Sequence, residues 1–554
     1  MSVQETRVNL LPRVCAQAHI QILISAQLEG YIQVATSLPA DSDERRVLSR
    51  SLIRPLWNDL RHPPLSYLGN KYRYRQADGS YNNIMHPQLG AAGSAYARTV
   101  APTTLASSNL PDPSVLFDTI FARGDTARTH PTQISSVLFY LAAILTHGRL
   151  RDPFVKEVEL IMADIFRTDD SDPSKMKNSS YLDLSPLYGS SDDPECDACT
   201  AKIRTFKDGL LFPDTFSESR AYGLPPGVAV LLICFNRLHN FVASQLKQIN
   251  EGGRFDPSPH LTQERAERQV DEELYQTARL ITCALYVNII LHDYLRTILH
   301  LHTSKSSWSL DPRDDADFIF QNEPIPAGVG NQVSVEFNLV YRWHSAISER
   351  DARWVGALHT ESKDSSQRLA GLKGPVDKVS AHFRRMQERE PKDRVIYGLH
   401  RNNNGRYMDS DLVNILTEST QDVAGALGAR NVPRIMKYVE MRGIEQARRW
   451  QVCTLNEFRK SFKLEPHKTF ADISSNKEVA EALKTLYSEP DLVELYPGLI
   501  AEDNKESFEP AHGLCCGFTT SRTILSDAVA LIRGDRFYTV VCNLCPSLWR
   551  KSVS

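Results

Sequence analysis

Val335–Ile347 reads VEFNLVYRWHSAI, and the chemistry of the chain gathers there. Tyr341 and His344 stand three residues apart, so on a helix they share one face. A histidine so placed can ligate a metal or a heme iron. A tyrosine one turn away can exchange an electron or a hydrogen atom with that centre. The spacing alone leaves the alternative of a buried Tyr and His satisfied by their neighbours.

Outward from that segment the sequence reads as helical packing. Ser135–His147 (SSVLFYLAAILTH) is a buried helix candidate, too long for an ordinary strand. Pro226–Asn250 opens on Pro-Pro-Gly and continues as a long apolar helix. Arg265–His302 is longer, with Leu280, Leu285, Ile289 and Leu295 on one side. Ser410–Leu427 fits an amphipathic helix ending at Gly428, a C-terminal cap. Residues 62–133 are turn-rich, as HPPLSYLG, ADGSYNN, HPQLGAAG and LPDP show. Strand-like alternation is scarce and no repeat occurs. The expectation is one mainly α body, with residues 1–55 as an N-terminal helical segment.

Composition narrows the function. Of 554 residues, 42% are hydrophobic and 24% charged, ordinary values for a globular chain that exclude wholesale disorder. Lys plus Arg (64) nearly balance Asp plus Glu (67), a net charge of −3, which excludes nucleic-acid binding through bulk positive charge. The start, MSVQETRVNLLPRV, lacks a secretory pattern, and the longest apolar stretches, Val228–Phe235 and Val137–Leu145, are too short to span a bilayer. An intracellular, cytoplasmic protein is expected. Ten cysteines include two CxxC pairs, Cys196/Cys199 and Cys542/Cys545, without the histidines of a zinc finger, so they read as reduced thiols. Asn178 begins a formal glycosylation sequon, idle without secretion.

EFNLVYRWH resembles the EFNxxYxWH motif of cyclooxygenases, and more closely the fungal fatty-acid heme dioxygenases known as psi-factor-producing oxygenases or linoleate diol synthases. The likeness extends to RHPPLSYLG (Arg61–Gly69), ADGSYNNI (Ala77–Ile84), YART (Tyr96–Thr99), LPDPSVLFD (Leu110–Asp118) and SSYLDLSPLYGS (Ser179–Ser190). It continues through TFKDG (Thr205–Gly209), FNRLHN (Phe235–Asn240), LYVNIILHDYLRTI (Leu285–Ile298), GVGNQVSVEFN (Gly328–Asn338) and LSDAVALIRGDRFYT (Leu525–Thr539).

That resemblance implies an animal-type heme peroxidase fold, cyclooxygenase-like and mainly α, over residues 56–539. It implies heme b held by His344 as proximal iron ligand, with the opposite face open to peroxide. Tyr341 would become the radical that takes hydrogen from linoleic or a related unsaturated acid, after which molecular oxygen adds. An 8- or 10-hydroperoxide would result. His147 matches the distal histidine, which moves a proton as the peroxide bond breaks. His292-Asp293 is a competing distal pair, and His239 reads as structural. SSYLDLS resembles the family's calcium loop, with Ser179, Asp183 and Ser185 side chains, the Tyr181 carbonyl and Asp164 as ligands.

Two departures qualify the likeness. The family's aspartate follows the distal histidine at once; here Gly148–Ala163 (GRLRDPFVKEVELIMA) intervenes before Asp164. These 16 residues, 48 nucleotides, keep the frame, as a retained intron would; a surface loop is the other reading. The tail 540–554 (VVCNLCPSLWRKSVS) does not match the family, and no heme-thiolate second domain is expected on it. Cys515-Cys516 has the wrong setting for a thiolate ligand. Two alternatives stand beside the dioxygenase: a peroxidase that reduces hydroperoxides, and an inactive product of a mis-spliced or truncated gene. Analogy with cyclooxygenases also implies a homo-oligomer and peripheral membrane or lipid contact, although no strongly amphipathic basic helix stands out.

Overall fold

A computed structural model describes residues 25–58, 73–103, 110–146, 172, 174–193, 199–301, 307–313, 326–360, 386, 388–504 and 516–538. His147, Asp164, the 148–163 stretch, the 540–554 tail and Cys196, Cys515, Cys542 and Cys545 lie outside them.

The described chain is helical. The helices that matter here are α1 (Ser25–Ser37), α2 (Asp43–Asn58), α3 (Val137–Thr146), α4 (Pro226–Ile249), α5 (Gln263–Ile289), the short α6 (Phe337–Val340) and α7 (Glu349–Thr360). They continue with α8 (Asp409–Gln421), α9 (Lys437–Arg449), α10 (Leu495–Ala501) and α11 (Phe518–Gly534). Among the described residues β-pairing is limited to isolated bridges, such as Ala97 with Ser334.

α4 starts where Pro225-Pro226 presets the first turn and ends at Asn250 in the left-handed conformation. It packs along α5, while α3 lies against α4. α5 runs into a π-helical turn, Ile290–Tyr294, then Leu295–Ile298, so the expected long helix is present with a local change of pitch. These two long helices are apolar enough to cross a membrane by length and composition. Each, however, buries more than half of that stretch inside the fold.

One hydrophobic core runs from Ile32 on α1 to Ile532 on α11. α2 joins it through Leu48, Leu52, Ile53, Leu56 and Trp57, and packs against α11. Trp308 Nε1 donates to Ser49 Oγ at 2.6 Å, tying α2 to the body by a polar contact as well.

The helix expected to reach Leu427 stops at Gln421. Beyond it the backbone pairs across the fold: Ser136 N–H donates to the Asp422 carbonyl, and Ala424 N–H to that of Ile134. Gly425 donates to the Ala346 carbonyl beside the His344 segment. A Cβ at Gly425 would stand 2.1 Å from the Ser345 carbonyl oxygen, so this bridge position needs glycine. These tertiary bonds outweigh a helical pattern that is good only locally.

Candidate active site

The segment that carries Tyr341 and His344 is pinned at its start. Glu336, buried, accepts the backbone N–H groups of Thr99 and Val100 at 3.1 Å each. Ser334 Oγ accepts the Phe337 N–H at 3.2 Å, at the first residue of α6. The helix then ends early. Arg342 Nε donates to the Asn338 carbonyl at 3.0 Å and Trp343 Nε1 to the Val340 carbonyl at 2.9 Å. Two side chains thus take carbonyls that a longer helix would have bonded. Tyr341 and His344 therefore do not share one helical face, which corrects the expectation from their spacing. His344 opens a separate 3-10 turn, His344–Ala346.

Tyr341 is buried, its ring stacked on Phe337 with centroids 4.3 Å apart and near-parallel to Trp343 at 5.8 Å. It helps line a largely apolar cavity with Leu182, Ile290, Leu295, Ala528 and Leu531. Its hydroxyl has no hydrogen-bond partner among the described residues. Burial, and then the charge of Asp527, hold this phenol well above the ordinary tyrosine value, so its proton stays on.

His344 is held from behind. Its Nδ1 lies 2.9 Å from Glu440 Oε1 on α9. Glu440 is 1% exposed, and its other oxygen accepts the hydroxyl of Tyr496 on α10. A carboxylate can only accept, so the tautomer follows: Nδ1 carries the proton and Nε2 keeps its lone pair. Nε2 has no partner among the described residues, and the side chain is 15% exposed. That arrangement, a ring nitrogen left free while the other is bonded to a carboxylate, fits an axial ligand to heme iron.

Arg342 supports the same corner. It is buried, bonds Gln446 Oε1, and its guanidinium lies 5.1 Å from the Tyr496 ring centroid. Gly443 on α9 allows this approach, because a Cβ there would stand 1.9 Å from Arg342 Nη1.

The element leading to His147 is anchored as well. Tyr140 on α3 donates to both oxygens of Asp351 on α7, at 2.9 and 2.8 Å. α3 is described through Thr146, the residue before His147.

The SSYLDLS loop is closed on itself. Ser179 Oγ donates to Asp183 Oδ2 at 2.6 Å and Ser185 N–H to Asp183 Oδ1 at 3.0 Å. Tyr181 donates its hydroxyl to the Leu89 carbonyl at 2.7 Å. Burial pushes the Asp183 carboxyl up, opposed first by the guanidinium of Arg279. The loop's oxygens suit calcium in kind. Yet both oxygens of its carboxylate already accept hydrogen bonds, and no group of three or more metal-binding side chains forms among the described residues.

Two other histidines separate cleanly. His292 and Asp293 are exposed on the π-helical turn, whose buried Ile290 and Tyr294 rather than this pair line the Tyr341 cavity. His239 lies between Tyr188 hydroxyl at Nδ1 and the Gly209 carbonyl at Nε2, each at 2.9 Å, a structural role. Glu440, Tyr496 and Arg342 were not singled out from sequence. The available signal was a glutamate on the apolar side of KYVEMRGIEQARRW, beside Val439 and Ile444, since a lone buried carboxylate calls for a partner.

The Animal haem peroxidase family model matches residues 219–545. The chain is 50% identical over 521 residues to Psi-producing oxygenase A of Aspergillus fumigatus, covering 93% of this chain and 45% of that protein. It is 46% identical over 528 residues to Linoleate 10R-lipoxygenase of Aspergillus fumigatus, covering 93% and 44%. It thus spans somewhat less than half the length of these curated relatives. The crystal structure of Oryza sativa fatty acid alpha-dioxygenase has the same fold, with a TM-score of 0.60 at 18% identity over 96% of this chain and 90% of that one. By its family match, over more than half its length, and by its fold, the chain belongs to the animal haem peroxidase family.

Proposed function

We propose that the chain is a heme-dependent fatty-acid dioxygenase forming 8- or 10-hydroperoxides of linoleic or a related unsaturated acid. One observation carries this reading. Tyr341 walls an apolar cavity and His344, three residues on, is fixed through Nδ1, while the Tyr341 hydroxyl and His344 Nε2 have no hydrogen-bond partner among the described residues. The names of the relatives support linoleate as substrate. Heme b bound through His344 would supply the one-electron oxidising power that turns Tyr341 into a phenoxyl radical.

The protein's own residues do the rest. Leu182, Ile290, Leu295, Ala528 and Leu531 line only a small gap beside Tyr341, so these apolar side chains would have to part for the acyl chain to lie among them with one carbon at the Tyr341 oxygen. The radical takes a hydrogen atom from that carbon and becomes a phenol again. Oxygen adds to the carbon radical, and the resulting peroxyl recovers the hydrogen atom from Tyr341, which regenerates the radical. His147 is proposed as the group that moves a proton during peroxide cleavage on the distal side. Residues 56–539 would form this catalytic body.

Oxygen uptake and product analysis with linoleate test the reading. Tyr341→Phe is expected to abolish uptake while keeping the heme absorption band; His344→Ala is expected to lose the band. Hydroperoxide consumption without oxygen uptake by the native protein would mark a peroxidase instead. Removing 148–163, so that His147 meets Asp164, is expected to raise turnover if the stretch is aberrant; equal rates would discard that idea. An intracellular setting, self-association and lipid contact complete the proposal, the first supported by free thiols at Cys199, Cys234, Cys283, Cys453 and Cys516. Calcium at Asp183 would need Asp164 as a further ligand. Chelation that leaves heme content and turnover unchanged would remove it.

A further inference from the structure

We infer that Glu440 is a positioning residue that sets the donor strength of His344 and thereby the reduction potential of the iron it would hold; this rests on the function proposed above. Three facts converge on the carboxylate. It is buried at 1% exposure on α9, it meets His344 Nδ1 at 2.9 Å, and its second oxygen accepts the Tyr496 hydroxyl. Among the described residues, His344 is the only basic side chain within salt-bridge distance of it, and with a neutral ring the contact is a hydrogen bond. Arg342, lying over the Tyr496 ring and bonded to Gln446, is the neighbouring cation, and it does not cap Glu440.

A buried anionic acceptor pulls harder on the Nδ1 proton than a neutral amide would. Electron density moves toward Nε2, which becomes a stronger donor. A stronger axial donor favours the ferric over the ferrous state. The Tyr496 hydrogen bond acts in the opposite sense, because it withdraws density from the same carboxylate. The carboxylate hydrogen bond and the tyrosine therefore form a graded pair of controls on one ring nitrogen.

The test uses the full chain loaded with heme and reads two quantities besides activity. These are the ferrous iron–histidine stretching frequency by resonance Raman, and the ferric/ferrous midpoint by redox titration. Glu440→Gln is expected to lower the stretch and raise the midpoint by about 59 mV or more, a tenfold change for one electron. Tyr496→Phe is expected to move both in the opposite direction. Glu440→Asp, which keeps the charge, is expected to stay closer to the native values than Gln, and it carries the test if Glu440→Gln does not retain heme. Opposite signs for Gln and Phe are what a merely structural role does not produce. Native-like stretch and midpoint in Glu440→Gln, or shifts of the same sign in both variants, would overturn the inference while leaving the site reading intact. Absence of a histidine-type stretch in the native protein, or its persistence in His344→Ala, would overturn the site reading and this inference with it.

Discussion

Asp351 is a carboxylate that the fold prefers to keep neutral. Burial raises it from an ordinary 3.8 to about 6, with Tyr140 hydrogen-bonded to both oxygens partly opposing that rise. A group raised in the fold binds its proton more tightly than the unfolded chain does. Its stabilisation is complete below pH 3.8 and is lost as pH rises through 6. The shift of about 2 units corresponds to at most about 3 kcal/mol. Asp351→Asn keeps an acceptor for Tyr140 and removes the buried charge. It is expected to unfold at a higher temperature than the native protein at pH 7, by up to that free energy, with the gap closing toward pH 4. A difference that does not vary with pH in thermal unfolding would show that the charge is not its cause. The same scale separates what the sequence could reveal from what it could not. Tyr341 and His344 were legible because three positions and their flanks form one local pattern. Glu440 was not, because its partner lies 96 residues away and only the fold brings the two together.

At the scale of elements, sequence periodicity found α4 almost to the residue and located α3 and α5, though the long helix read as Arg265–His302 changes pitch after Ile289, since each buries an apolar face. It overran where backbone groups had better partners elsewhere. α6 stops at Val340 because Arg342 and Trp343 side chains occupy its last carbonyls, and α8 stops at Gln421 because the next residues pair with Ile134 and Ser136. Helical propensity therefore does not rank the glycines correctly; contacts do. Gly30 in α1 has nothing within 4 Å of a Cβ, whereas Gly443 in α9 would place one 1.9 Å from Arg342 Nη1. Gly30→Ala is expected to be neutral or to stabilise by about 0.4–1 kcal/mol. Gly443→Ala is expected to cost about 1–3 kcal/mol, since Arg342 must leave Tyr496 and Gln446. Thermal unfolding of the two variants, with heme retention measured alongside, decides the matter: equal effects would mean that Arg342 moves freely and does not brace the corner behind His344.

At the scale of the molecule, the N-terminal helices are part of the body that carries the site. Leu52, Leu56 and Trp57 of α2 belong to the same hydrophobic core as Tyr341 and Trp343, and α2 packs against α11, whose Ala528 and Leu531 line the Tyr341 cavity. The sequence alone reads residues 1–55 as a separate helical segment; burial joins α2 to the rest through side chains that composition alone does not assign to a face. Leu52 is fully enclosed, so Leu52→Ala removes buried methyl groups and leaves a cavity between α2 and its neighbours. The expected loss is about 2–5 kcal/mol. Because α11 walls both α2 and the cavity beside Tyr341, that loss should reach the site: unfolding, followed by circular dichroism, and the loss of heme absorption should shift down together. If α2 melts first while the heme band and oxygen uptake keep their native midpoint, the N-terminal helices are an appendage and the shared core does not couple them to catalysis.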